Sequence, residues 1–153
     1  MIAISHRGNI FGPNSSKEND PAYIQNALDF GVDCEIDINY IDSCLYLGHD
    51  GPQHKIDIDW LMCRKSKLWV HCKDLKALSY FNITDFNYFW HESDKATLTS
   101  KGFIWAYPGT QPIQNSIAVL PEIYGDILYY SIGVCTDYID KYARMVYGAS
   151  LPS

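Results

Sequence analysis

Short runs of β-branched, aromatic and aliphatic residues recur at 2–5, 34–39, 45–47, 68–72, 88–91, 103–107, 116–120 and 132–136 of a 153-residue chain. The spacing between these runs constrains the fold more than any other feature. Helical patterns fill some of the gaps. Pro21 suits a first helical turn capped by Asn19 or Asp20, with Tyr23, Ile24, Ala27 and Leu28 on one face and Gly31 as the stop. Residues 59–64, 74–81 and 138–147 read as further helices, the last ended by Gly148. Alternating strands and helices predict an α/β fold with parallel strands. A parallel crossover needs about a dozen residues or more, which 17–32 and 74–86 supply and 108–115 does not. A complete eight-unit (β/α) barrel takes about 250 residues, and at least about 200. A barrel of this length therefore has to lose outer helices. With no linker, repeat or low-complexity block, residues 1–153 form a single domain.

Charge and hydropathy exclude two classes of partner. Twelve basic against 18 acidic side chains leave a net charge of −6, so there is no basic footprint for a nucleic acid. No apolar run approaches the roughly 20 residues that cross a bilayer, and the N-terminal residues lack the basic flank of a secretory signal. The expectation is a soluble, cytoplasmic protein with no stable membrane insertion. Five cysteines, none spaced C-x-x-C, lie mostly inside apolar runs and read as reduced core thiols.

Polar clusters fall at or just past the carboxyl ends of the β-runs, where parallel α/β folds build their sites. His6-Arg7-Gly8 offers an imidazole, a guanidinium suited to phosphate and a glycine that lets the chain turn. Glu35 and Asp37 stand two apart on a strand and share one face. Such a pair is either a solvated strand edge or, if buried, a site for a hard divalent cation. His49-Asp50 follows the next run. His71 and Lys73 share one face of theirs, with Val70 and Cys72 on the other, and an inward lysine calls for an anion. His91 ends the following run, as an additional ligand, a substrate contact or a packed histidine. Trp105 and Tyr107 share a face and serve either as pocket wall or as core.

In order, His6-Arg7-Gly8, Glu18-Asn19, an Ala-containing helix, Glu35-x-Asp37 and His49-Asp50 resemble the N-terminal signature of the glycerophosphodiester phosphodiesterase family. Trp69-Val70-His71-Cys72-Lys73 resembles the family strand ending in Glu-x-Lys. Gly133-Val134-Cys135-Thr136-Asp137 resembles the final strand ending in Thr-Asp. Matches near both ends suggest a complete, shortened member. The resemblance implies a reduced TIM-type barrel, with several outer helices shortened or missing, that cleaves a phosphodiester bearing a neighbouring hydroxyl. It makes Glu35 and Asp37 metal ligands, His6 and His49 the acid/base pair, Arg7 and Lys73 the phosphate contacts, and Glu18 a support close to the metal. One departure stands out: His71 occupies the place of the family's third carboxylate ligand. An imidazole there softens a site otherwise suited to Mg²⁺ or Ca²⁺ and draws it toward Mn²⁺ or Zn²⁺.

The expected activity is metal-dependent hydrolysis of a small glycerophosphodiester-like molecule through a cyclic phosphate. The alternatives are a phosphate-ligand binding module without turnover and a phospholipase-type lyase that stops at the cyclic product. A homo-oligomer is also expected, because Val70, Cys72, Ile104 and Ala106 lie on strand faces that missing helices would leave bare.

Overall fold

In the computed structural model, which describes residues 1–147, every expected β-run contributes a strand. The strands are β1 (Ile2–His6), β2 (Asp33–Ile41), β3 (Cys44–Leu47), β4 (His54–Ile56), β5 (Leu68–Cys72), β6 (Asn87–Phe89), β7 (Ala96–Leu98), β8 (Ile104–Ala106), β9 (Ser116–Val119) and β10 (Gly133–Thr136). The helices are α1 (Pro21–Asp29), α2 (Ile58–Met62), α3 (Leu75–Asn82) and α4 (Ile139–Tyr147). Asp20 caps α1 by accepting from the Ala22 and Tyr23 amides, and Asp74 caps α3 through Ala77. The expected stop at Gly148 lies outside the described residues.

The parallel strands run β6-β5-β2-β1-β10-β9-β8. Three strands depart from the simple alternation. β3 folds back antiparallel on the far end of β2 and β4 on β3, so residues 45–47 belong to a hairpin extension and not to a βα unit. β7 pairs antiparallel with β8. Neither β4 nor β7 carries a β-rich signal in the sequence. Each is only three residues long and holds its place by pairing.

The sheet curls strongly. Trp69 on β5 and Trp105 on β8 stand 5.7 Å apart by ring centroid, although β2, β1, β10 and β9 lie between their strands in the ladder. Phe89 on β6 lies 4.6 Å from Trp105. The Ser100 amide, just past β7, donates to the Tyr88 carbonyl at 2.8 Å and ties the two ends of the parallel run together. One interior cluster joins Ile4, Trp69, Phe89, Trp105, Ile117, Val119 and Cys135 from six strands. The molecule is a mixed α/β fold with a barrel-like curled sheet and few helices.

The helices cover one side. Ile36, Ile38, Val70 and Cys72 point outward from β2 and β5 and pack against Ile24 of α1, Leu61 of α2 and Ala77 and Phe81 of α3. Ala3 packs against Ala27 of α1 and Ile139 and Ala143 of α4. The β8–β9 and β9–β10 connections contain no α-helix. Gln111 organises the first, accepting from the Ile113 amide and donating to Ser116 Oγ, and a 3₁₀ turn at Pro121–Ile123 opens the second. Val70, Cys72 and Ala106 are fully covered within the chain. They therefore give no reason for the oligomer expected from bare strand faces.

All five cysteines are free. Cys34, Cys72 and Cys135 are buried, Cys44 is half-buried and Cys63 is exposed. Burial pushes the Cys72 thiol up to about 12 and raises Cys34 and Cys135 as well. Among the described residues no helix is long and apolar enough to cross a membrane.

The curl leaves no room at Gly133. A Cβ there would come within 2.6 Å of Ile117 Cδ1 and 3.0 Å of the Ile2 carbonyl oxygen. Gly133→Val is expected to destabilise the fold by about 1–3 kcal/mol through overpacking, measured as a lower denaturation midpoint in urea.

Candidate active site

Parallel strands in register bring their carboxyl ends to one rim. His6 on β1 stands beside Glu35 on β2, and Asp37 stands beside His71 on β5. A cavity of about 470 Å³ opens there, lined by His6, Arg7, Glu35, His49, His71, Lys73 and His91. Asp37 lies fully buried beneath it. The sequence-predicted residues thus converge on one place, apart from Glu18, which sits to one side.

The centre is a buried pair of carboxylates with an imidazole. Ligand atoms of Glu35, Asp37 and His71 lie within 4.8 Å of one another. His71 Nδ1 is 3.1 Å from Asp37 Oδ1 and 3.7 Å from Glu35 Oε1. Neither Asp37 Oδ1 nor Glu35 Oε2 has a hydrogen-bond partner, although both are sealed from solvent. The His71 Nδ1–Asp37 Oδ1 approach is close enough for the two groups to share a proton without an ion and to face a common ion when one is bound. His71 Nε2 faces the His91 carbonyl oxygen at 3.4 Å. A proton on that nitrogen leaves Nδ1 free as a ligand. Donors bound at ~2.0–2.5 Å to one ion stand no more than about 5 Å apart, so the set fits a divalent cation.

The electrostatics agree with that fit. Burial and the neighbouring Asp37 raise the Glu35 carboxyl above its ordinary value. Burial acts on Asp37 in the same direction. His71, Arg7 and the Asn19 hydrogen bond outweigh it and hold Asp37 ionised. Arg7 Nε lies 2.9 Å from Asp37 Oδ2. Asn19 grips Asp37 twice, its Nδ2 donating to Oδ2 at 2.9 Å and its Oδ1 accepting from the Asp37 amide at 3.0 Å.

The β1 loop supplies the next layer. Arg7 and Asn19 both adopt positive φ, at 56° and 63°. The Arg7 amide bonds the Glu35 carbonyl and the Asn19 amide bonds the Arg7 carbonyl, which clasps the two segments together. Gly8 at φ 95° is required, because a Cβ would lie 2.7 Å from the Tyr23 ring. His6 Nδ1 is 2.7 Å from Asp137 Oδ1. Burial alone would lower the His6 value, but the Asp137 bond and the nearby Glu35 charge raise it overall.

Two residues without an assigned role complete this layer. Asp137, recognised only as the end of a Thr-Asp strand, orients His6. Asn9 is fully buried, and its Nδ2 donates both to Asp137 Oδ1 at 2.8 Å and to Glu18 Oε1 at 2.9 Å. Glu18 also holds Arg7 Nη1 at 3.3 Å. Glu18 therefore serves the arginine and Asn9, and it is not among the clustered ligand atoms at the centre. No sequence signal marks Asn9, since its bond to Asp137 spans 128 positions of the chain.

His49 reaches the cavity from the β3–β4 turn, more exposed than His6 and bonded to Asp50 at 2.7 Å. Lys73 Nζ lies 3.9 Å from Asp37 Oδ1. His91 stacks on His71 with centroids 4.8 Å apart and planes 6° from parallel. Burial, His71 and Lys73 lower its pKa to about 4. Trp105 is both core and cavity wall, and Trp90, Tyr107 and Leu120 also line the cavity.

Stability should report the centre. Above the ordinary glutamate value the unfolded chain has released the Glu35 proton while the folded chain still holds it. Stability without an ion therefore falls as pH rises through the interval up to the raised value. Added Mn²⁺ should raise the melting temperature, and more at about pH 7 than at about pH 5. At 100 times the dissociation constant the gain is about 2.7 kcal/mol. Glu35→Gln should melt higher than the parent without ion at neutral pH and gain nothing from Mn²⁺, as read by thermal denaturation. No protein-family model, curated protein or solved structure matches this chain, so the functional reading rests on the chemistry of the rim.

Proposed function

We propose that this chain is a metal-dependent phosphodiester hydrolase acting on a glycerophosphodiester-like substrate, and that its curled sheet is a reduced (β/α) barrel. The observation that carries the reading is the pair of sealed, unpartnered carboxylate oxygens beside His71, beneath a cavity edged by two carboxylate-bonded histidines. Glu35, Asp37 and His71 would hold one divalent ion, whose chemistry there is to neutralise charge on the phosphoryl oxygens.

Arg7 is anchored by Glu18 and Asp37, which leaves Nη2 for a phosphate oxygen, and Lys73 adds a second positive group. Asp137 and Glu35 favour the protonated form of His6, the form of a general acid, and His6 takes that role first. His49, fixed through Nδ1 by Asp50, begins as the base. His49 takes the proton of the substrate hydroxyl as its oxygen attacks phosphorus. The bond from phosphorus to the other alcohol breaks, and His6 protonates the departing oxygen. Water then opens the cyclic phosphate with the two roles exchanged.

With glycerophosphodiesters and a panel of divalent ions, His6→Ala and His49→Ala should each lower kcat by roughly 10²–10⁴-fold. The Mn²⁺-dependent melting shift should persist in both variants. Phosphorus NMR should show a monoester product. A cyclic phosphate that never opens identifies a lyase, and a diester that binds without reacting under any ion identifies a binding module. Activity that survives both substitutions overturns the assigned roles.

A further inference from the structure

The cavity lining is of two kinds. Beside the charged groups used above stand Glu92 and a set of rings and aliphatic side chains, Trp90, His91, Trp105, Tyr107 and Leu120, none of which has a part in the proposed chemistry. His91 differs from the rest of that set because it carries a polar side-chain atom that is sealed from solvent and unpartnered. Its Nδ1 is sealed from solvent and has no partner among the described residues. Its Nε2 is not among the sealed atoms, and the residue lines the cavity, so Nε2 is the nitrogen that a ligand can reach. Orphaned buried N–H groups are rarer than orphaned acceptors. The proton therefore belongs on Nε2, and the ring presents an N–H donor to the cavity.

Stacking excludes the other use of this ring. An imidazole lone pair lies in the ring plane. With His71 and His91 within 6° of parallel and stacked at 4.8 Å, the two ring planes share no point at which one ion could lie in both at bonds of ~2.0–2.1 Å. His91 is also held in place. Tyr107 meets it edge-on at 4.5 Å, and the Tyr107 hydroxyl is fixed by donating to the Glu92 carbonyl oxygen at 3.0 Å.

Resting on the phosphodiesterase reading, we propose that His91 is a specificity-determining residue whose Nε2–H donates to an oxygen of the substrate's second alcohol. The site then selects diesters in which that alcohol is an uncharged polyol. A polyol offers acceptor oxygens to His91 and its C–H faces to Trp90 and Tyr107. A quaternary ammonium offers no acceptor to that N–H, and its charge would meet the carboxylates of Glu35 and Glu92 as well as Arg7 and Lys73. Aromatic faces also attract cations, and that competing preference makes the comparison decisive.

The experiment is calorimetric titration of the full chain, with Mn²⁺ present, by glycerophosphoinositol and by glycerophosphocholine. The parent should bind the inositol diester about tenfold more tightly, the equivalent of one hydrogen bond. His91→Phe keeps a ring to stack on His71 but has no donor, and it should erase the preference while leaving Mn²⁺ affinity unchanged. His91→Gln keeps an N–H donor and should retain part of the preference, which guards against misreading a folding defect in the first variant. Equal affinities in the parent, a choline preference, a preference that survives His91→Phe, or loss of Mn²⁺ binding in that variant would overturn the proposal. Product formation is read in the same samples. Preferential binding without product defeats the hydrolase reading and leaves the role of His91 standing, whereas product without preference does the reverse.

Discussion

Two carboxylates on one face of a central strand set the requirements for everything around them. Glu35 and Asp37 are both nearly inaccessible to solvent, and burying like charges this close is among the most unfavourable arrangements a chain can hold. The surrounding residues answer that cost for Asp37. Asn19 grips it twice, Arg7 Nε approaches it, and Lys73 stands near. Glu35 receives no comparable support, and one of its oxygens is left bare. The asymmetry has a physical sense. A site fully compensated by protein cations would have nothing left for an ion, so the unpartnered oxygens are the part of the cost that a ligand is able to remove.

The uneven helical coat follows from side-chain size. Outward residues on β2 and β5 are Ile36, Ile38, Leu68 and Val70, large enough that leaving them in water would forfeit much of the folding free energy. Helices α1, α2 and α3 cover them. On β8 and β9 the register pairs Trp105 with Ile117 inside the curl and Ala106 with Ala118 outside it. Small outward side chains need little cover, and an irregular connection braced by Gln111 is enough. The aromatic mass has moved inward, where Trp69, Phe89 and Trp105 fill the space between opposite strands. A barrel-like sheet can lose helices where its outer face is mostly small, here Ala106, Ser116 and Ala118 beside a half-buried Ile104.

Legibility in the sequence followed the range of the interactions. Period-two patterns act over neighbouring residues, and they placed Glu35 with Asp37 and His71 with Lys73 on common faces, as the structure has them. The capping of α1 by Asp20 is equally local. The antiparallel turn-back of β3 was not legible, because a run at 45–47 looks the same whether it pairs forward or back. Nor was the cover over Val70 and Cys72, since their distance from α3 along the chain says nothing of contact. Asn9 and Asp137 lie 128 positions apart, and their bond exists only once β1 and β10 pair. The signature of a site was readable, and the network that orients it was not.

That network explains why the two histidines are not equivalent despite the same Nδ1–carboxylate bond of 2.7 Å. His6 is backed by Asp137, which is itself held by Asn9, and the backbone amide of Asp137 donates to Glu122 Oε1. The carboxylate that favours its protonated form is itself held in place. His49 is backed by Asp50, whose side chain is 89% exposed and free to exchange its partner for water. A charge pair screened by solvent is worth little, and a sheltered one is worth more. The two histidines thus differ in how firmly their carboxylate partners are held, a division set by burial and not by residue type.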